Sequence, residues 1–129
     1  MTDTIRLAIP ATAAWIVLVR TAVTACCARL DFDVDRLEDL RLAVDEVAGL
    51  LVDRADDGAE LVCVIDPHAG GHVDITLATS TSSGALPPTD TFAWAVLTAL
   101  VDDITTTVEA GTTTITLRTS RSAADQVGA

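Results

Sequence analysis

Leu37-Glu38-Asp39-Leu40-Arg41-Leu42-Ala43-Val44-Asp45-Glu46-Val47 decides the fold, because its apolar residues recur at helical spacing. Carried on to Leu51, the stripe Leu37, Leu40, Val44, Val47, Leu51 predicts a helix with one face sunk in a core. Asp33 or Asp35 can cap its start, and Asp56-Asp57-Gly58 ends it after about Ala55. Glu46 projects opposite the stripe, with Leu42 and Leu50 one turn to either side. The face turned away from the core is therefore partly apolar.

Towards the N-terminus, Ile5, Leu7 and Ile9 alternate up to Pro10, a short strand stopped before a helix. The helix, about Ala11 to Leu30, carries two apolar stripes: Ile16, Val19, Val23, Cys26, Leu30 and Trp15, Leu18, Ala22, Ala25. One stripe suits the core and the other a partner or dimer contact. Towards the C-terminus, Leu61–Ile65 is a continuous β-branched-rich run suited to a strand buried on both faces. After a turn at Asp66–Gly71, Val73, Ile75 and Leu77 alternate on a returning strand. Thr79–Thr91 is a polar Ser/Thr/Gly/Pro loop. Phe92–Asp102 reads as a third helix with Phe92, Val96 and Ala99 on one face and Trp94, Leu97 and Val101 on another. Ile104–Val108 and Thr113–Leu117 form a hairpin around Glu109-Ala110-Gly111. The order strand, helix, helix, strand, strand, helix, strand, strand gives an α/β two-layer sandwich, a mixed or antiparallel sheet with helices on one face. Residues 1–121 are expected to form a single domain and 122–129 a flexible tail.

Composition narrows the function. With 129 residues, half of them hydrophobic, the chain can bury one core. The net charge of −11 opposes contact with a phosphate backbone, so direct nucleic-acid binding is not expected. The same charge favours encounter with a basic protein. All eight cations are arginines, and the chain has no Asn, Lys or Tyr. The apolar run Ala13–Val19 stops at Arg20, short of the ~20 residues that span a bilayer. Cys26, Cys27 and Cys63 form no even, spaced framework and read as reduced thiols of a cytoplasmic protein. Val23-Thr24-Ala25-Cys26 permits a lipid-anchored reading, against which stand Asp3 and Pro10 in the preceding segment. His68, His72, Asp66, Asp74 and Cys63 lie close in sequence, but no ligand spacing recurs, so no metal is expected.

The Leu37–Val47 helix resembles the signature helix of anti-sigma serine kinases of the RsbW type. Phe92–Asp103, with the closing hairpin to Arg118, is similar to their actinobacterial UsfX-like branch. With the element order, the resemblance covers about Ile5 to Arg121. It implies a Bergerat, histidine-kinase-like ATPase fold and a homodimer. It also implies binding of an alternative, stress- or development-type sigma factor, released when an anti-anti-sigma protein of the STAS type competes.

In that family the signature helix carries a Glu that acts as general base and, one turn later, an Asn that holds the magnesium nucleotide. Glu46 matches the Glu, while Leu50 stands where the Asn belongs. An aliphatic side chain cannot ligate a hard cation. The family's Asp-x-Gly-x-Gly adenine box has no counterpart in Ser80-Thr81-Ser82-Ser83-Gly84-Ala85-Leu86, and no glycine-rich phosphate turn precedes Phe92. The expectation is a binding protein without ATP or magnesium, in which Glu46 is vestigial. The rival is an ATP-dependent serine kinase of an anti-anti-sigma factor with a divergent nucleotide site. Arg20 matches the first-helix arginine that the family presents to the sigma factor and its competitor. Arg20 and Trp15 are therefore the expected partner-binding residues.

Overall fold

A computed structural model describes residues 3–84 and 87–122 of the chain. The expected tail lies outside them from residue 123 onward. The strands are β1 (Ile5–Pro10), β2 (Glu60–His68), β3 (His72–Ser80), β4 (Asp103–Glu109) and β5 (Thr112–Ser120). The helices are α1 (Ile16–Arg29), entered through a 3-10 turn at Ala13–Trp15, α2 (Val34–Arg54) and α3 (Phe92–Leu100). The sheet runs β1-β2-β3-β5-β4, and every neighbouring pair is antiparallel, so the mixed alternative falls away. Both hairpins turn where the sequence supplies backbone freedom. Ala110 and Gly111 sit at φ +52° and +78° between the paired Glu109 and Thr112, the left-handed pair that a two-residue hairpin needs.

The three helices cover one face of the sheet. Beneath them, Leu61, Cys63 and Ile65 of β2, Val73, Ile75 and Leu77 of β3, and Ile115 and Leu117 of β5 are buried. From above, α1 contributes Val19, Val23 and Cys27, and α2 contributes Leu40, Ala43, Val44, Val47, Ala48 and Leu51. Three expectations change. Val62 and Val64 are only half-buried, because the second face of β2 carries no helix layer. On α1 the buried position is Cys27, with Cys26 at the margin, since a helix packing through Val19 and Val23 brings residue 27 round to the same side. Asp33 holds the capping position of α2, but its side chain makes no capping bond; its backbone N–H instead donates to the Arg121 carbonyl at 2.9 Å.

The third helix had two apolar faces in the sequence, and packing selects one. Leu97 and Val101 are buried and Trp94 packs against the core, while Phe92 and Val96 face out at 85% and 40% exposure. Thr91 caps the helix, its hydroxyl accepting from the Trp94 N–H at 3.2 Å.

Arg36 ties α2 to the far end of the sheet. Its Nε donates to the Ser120 carbonyl at 3.0 Å, and its Nη2 to Asp102 Oδ1 at 2.8 Å and Thr119 Oγ1 at 3.1 Å. Asp102 in turn accepts the Ser120 N–H at 2.6 Å. With Arg36 and Asp102 side chains only 15% and 19% exposed, removing the arginine leaves a carboxylate and a carbonyl poorly solvated. Arg36→Met should therefore lower unfolding stability by roughly 2 kcal/mol, measured by urea denaturation. A midpoint unchanged from the wild type would show that the network carries no stability.

Candidate functional site

Two surfaces of α2 meet the residues singled out in the sequence. The first faces α1. Arg20 Nη1 lies 3.0 and 3.2 Å from the two carboxylate oxygens of Asp45, and both side chains are about one-third exposed (32% and 31%). Arg20 is thus no plain solvent-facing charge: it spans the seam between two helices. Within the five residues before Arg20, Trp15, Val17 and Leu18 are half-exposed at 48%, 44% and 44%. The structure places Trp15 outside the core, on a different side of the helix from the charged pair, which itself keeps part of its surface open.

The second surface is a groove between α2 and α3. Leu42 and Glu46 from α2 and Phe92, Ala93, Val96, Leu97 and Leu100 from α3 enclose about 320 Å³. Glu46 is exposed and makes no hydrogen bond or ion pair. Leu50, one turn on, packs partly against the core, and its carbonyl accepts from Arg54 Nη1 at 3.0 Å. Sequence reasoning found the α2 wall and missed that Phe92 and Val96 form the other. The only signal was a third helix with one more apolar face than a core could take.

At the end of α2, Asp56 fixes the start of the Ser-rich loop. Its Oδ1 accepts the Ser82 N–H at 2.8 Å and the Ser82 hydroxyl at 2.7 Å, and those bonds hold its carboxyl below the usual range. Ala85 and Leu86, the end of the stretch compared with the adenine box, lie outside the described residues.

The remaining candidates form separate arrangements. The histidines and acids of the β2–β3 hairpin share one face, with His68 Nε2 2.9 Å from Asp74 and 3.8 Å from Asp66, and the His68 and His72 rings stacked at 4.7 Å. Asp74 also receives two bonds from Arg118, at 2.8 and 3.0 Å, and these bonds hold its carboxyl low. Cys63 points into the core on the opposite face. Among the described residues, no three His, Cys, Asp or Glu are grouped so as to hold a metal ion. All three cysteines are free thiols; burial pushes Cys27 and Cys63 up to about 12 and raises Cys26 as well. Thiols so far from ionisation are poor nucleophiles. No described helix is long and apolar enough to cross a membrane.

Comparison with known proteins adds what the geometry does not contain. The chain is 42% identical, over 89 residues, to the anti-sigma-F factor RsbW of Mycobacterium tuberculosis, in each of two strains. This chain is a relative of the RsbW anti-sigma factors. The match takes in 69% of the chain and 52% of the relative, so the chain spans about half the length of the curated relatives it matches. It superposes on about a third of the structure of the RsbU and RsbW domains of Rv1364c from M. tuberculosis, with a TM-score of 0.74 at 19% identity over 92% of this chain and 32% of that one. The histidine kinase domain of the blue-light activated kinase EL346 from Erythrobacter litoralis superposes at a TM-score of 0.62 and 13% identity, covering 92% of this chain and 64% of that one. The sheet and helix layer therefore make the histidine-kinase-like ATPase fold that the RsbW resemblance implied. No family model matches the chain.

In this RsbW relative, the Arg20–Asp45 pair separates stability from binding. A pair one-third exposed contributes about 0.5–1 kcal/mol, so Arg20→Ala should lower the melting temperature by only about 3 °C. Asp45→Asn should cost about the same, and the double variant little more than either single one, as two partners of one interaction require. Fully additive losses would show that the two side chains act independently.

Proposed function

We propose that the chain is an anti-sigma factor that sequesters an alternative sigma factor in the cytoplasm by surface binding alone, without phosphotransfer. The observation that carries this reading is the 42% identity to an anti-sigma-F factor, joined to a nucleotide-site position held by Leu50. The groove beside Leu50 supports it. Six of the seven residues that line it are apolar, and the seventh is a carboxylate. Among the described lining residues a magnesium triphosphate would meet no arginine, side-chain amide or hydroxyl, and Glu46 would face its negative charge. Those residues do not fit the nucleotide, and no step is routed through one.

On this reading the contact surface wraps round the exposed part of α1, with Trp15 and Leu18 as apolar anchors on one side and Arg20, next to Val17, as the charged anchor on the other. An arginine can give forked, charge-assisted bonds to a partner carboxylate, and aromatic and arginine side chains are the usual centres of such interfaces. Arg20 must share its guanidinium with Asp45 to do so, which keeps it oriented before the partner arrives. An anti-anti-sigma protein competing for the same face would release the sigma factor, and homodimerisation belongs to the same proposal.

The kinase reading rests on Glu46 and the ATPase fold, and the two readings separate cleanly. Calorimetry with magnesium-ATP up to 1 mM (about 4 kcal/mol of binding free energy) should give no heat of binding. Glu46→Ala should keep full inhibition of the sigma factor, and mixing with the anti-anti-sigma protein and ATP should transfer no phosphate. Micromolar ATP affinity, or loss of inhibition in a folded Glu46→Ala protein, would establish the kinase instead.

A further inference from the structure

We propose that the α2–α3 groove is a docking seat for a basic amphipathic helix of a protein partner, distinct from the α1 face. The inference rests on the reading that this groove does not serve a nucleotide. Its first support is apolar surface that the fold leaves uncovered. Phe92 stands 85% exposed at the head of α3, and Leu42 and Val96, at 44% and 40%, continue the patch across the groove. A connected apolar surface of this kind is worth its exposure only where something covers it.

The second support is charge. On α2, Asp35, Asp39, Glu46 and Asp53 fall within one helical face together with Leu42, at spacings of four and seven residues. None of these four acids makes a hydrogen bond or an ion pair. Of the four arginines on or packed against α2, Arg20 pairs with Asp45, Arg36 with Asp102 and Arg41 with Glu38, while Arg54 donates to the Leu50 carbonyl. The groove is thus an apolar floor with Glu46 in its α2 wall and three further unpaired acids along the same side of α2. A lysine- or arginine-bearing helix satisfies both parts at once, its apolar positions at i, i+3, i+4 and i+7 on the floor and its cations towards those acids. The α3 wall, nine residues and about 13 Å long, accommodates two to three turns of such a helix. A second copy of this chain is disfavoured, because the two sets of acids would meet in a molecule of net charge −11. An acidic peptide or a nucleic acid meets the same repulsion.

The probe is a fluorescein-labelled 14-residue peptide of leucine and lysine in helical spacing, with a leucine–glutamate counterpart, read by anisotropy at 150 mM salt. The full chain should bind the basic peptide, and the acidic one at least tenfold more weakly. Phe92→Ala and Leu42→Ser remove exposed side chains, so the protein stays folded and affinity for the basic peptide should fall at least tenfold; Glu46→Lys should weaken it similarly. Asp57→Lys, an exposed acid in the loop after α2, should change it by less than twofold. Amide shifts on titration should concentrate at residues 42–46 and 92–100. Equal binding by Phe92→Ala and Leu42→Ser, equal binding of the acidic peptide, shifts confined to α1 or the sheet, or a dimer in sedimentation that Phe92→Ala dissolves would each overturn the proposal. Magnesium-ATP binding to the protein without peptide would instead overturn its premise, the non-catalytic reading.

Discussion

Helix α2 turns about 100° per residue, and nearly everything else in the molecule follows from how that rotation distributes its side chains. Leu40, Val44, Val47 and Leu51 must point into the sheet, because only the sheet offers enough apolar area to cover them. Once they do, Asp45 is carried to the α1 side, where it meets Arg20, and Leu42 and Glu46 are carried to the α3 side, where they form a groove wall. Arg36, a turn before the buried stripe, reaches the end of β5. One packing constraint thus fixes the Arg36 network, the Arg20–Asp45 seam and the groove together. A slip of α2 by one residue would disturb all three.

Electrostatics then divides the surface. A chain with eight arginines and nineteen acids has little positive charge to spend, and four of the arginines are committed to internal pairs. Two of those pairs hold α2 to α1 and to the end of the sheet, one joins β3 to β5, and one, Arg41–Glu38, lies on the surface of α2 itself. The acids left there face solvent without counter-charge. A net negative surface steers basic partners at long range and opposes nucleic acid. Local apolar patches at Trp15 and at Phe92 then supply the short-range area that charge alone does not.

Much of this was legible in the sequence, and the reasons differ by element. The α2 stripe and the Ala110-Gly111 turn could be read because each reports a local rule, helical period or left-handed backbone. Which face of α3 would be outward could not, since Phe92/Val96 and Trp94/Leu97 are equally apolar and only the position of α2 distinguishes them. Leu61–Ile65 misled for the opposite reason: an unbroken apolar run suggests two covered faces, yet the helix layer lies on one, and Val62 and Val64 stay half-buried. The Arg20–Asp45 pair spans 25 residues and leaves no periodic trace. Leu50 is read through its chemistry alone: where the RsbW resemblance implies an amide, an aliphatic side chain is visible without coordinates.

The central claim is that partner binding in this chain has been separated from nucleotide chemistry while the ATPase fold is kept. Its most direct measurement is transcription in vitro from a promoter of the cognate sigma factor, run for one round from a dinucleotide with adenosine supplied as the β,γ-imido triphosphate, whose α–β bond the polymerase still cleaves but which gives a kinase no phosphate to transfer. Increasing amounts of this protein would be added with nucleotide removed from it beforehand, and again after incubation with magnesium-ATP. The account expects the same half-inhibitory concentration in both series. Inhibition that appears only after incubation with ATP, or that tightens tenfold with it, would contradict the account and return the groove to a working nucleotide site.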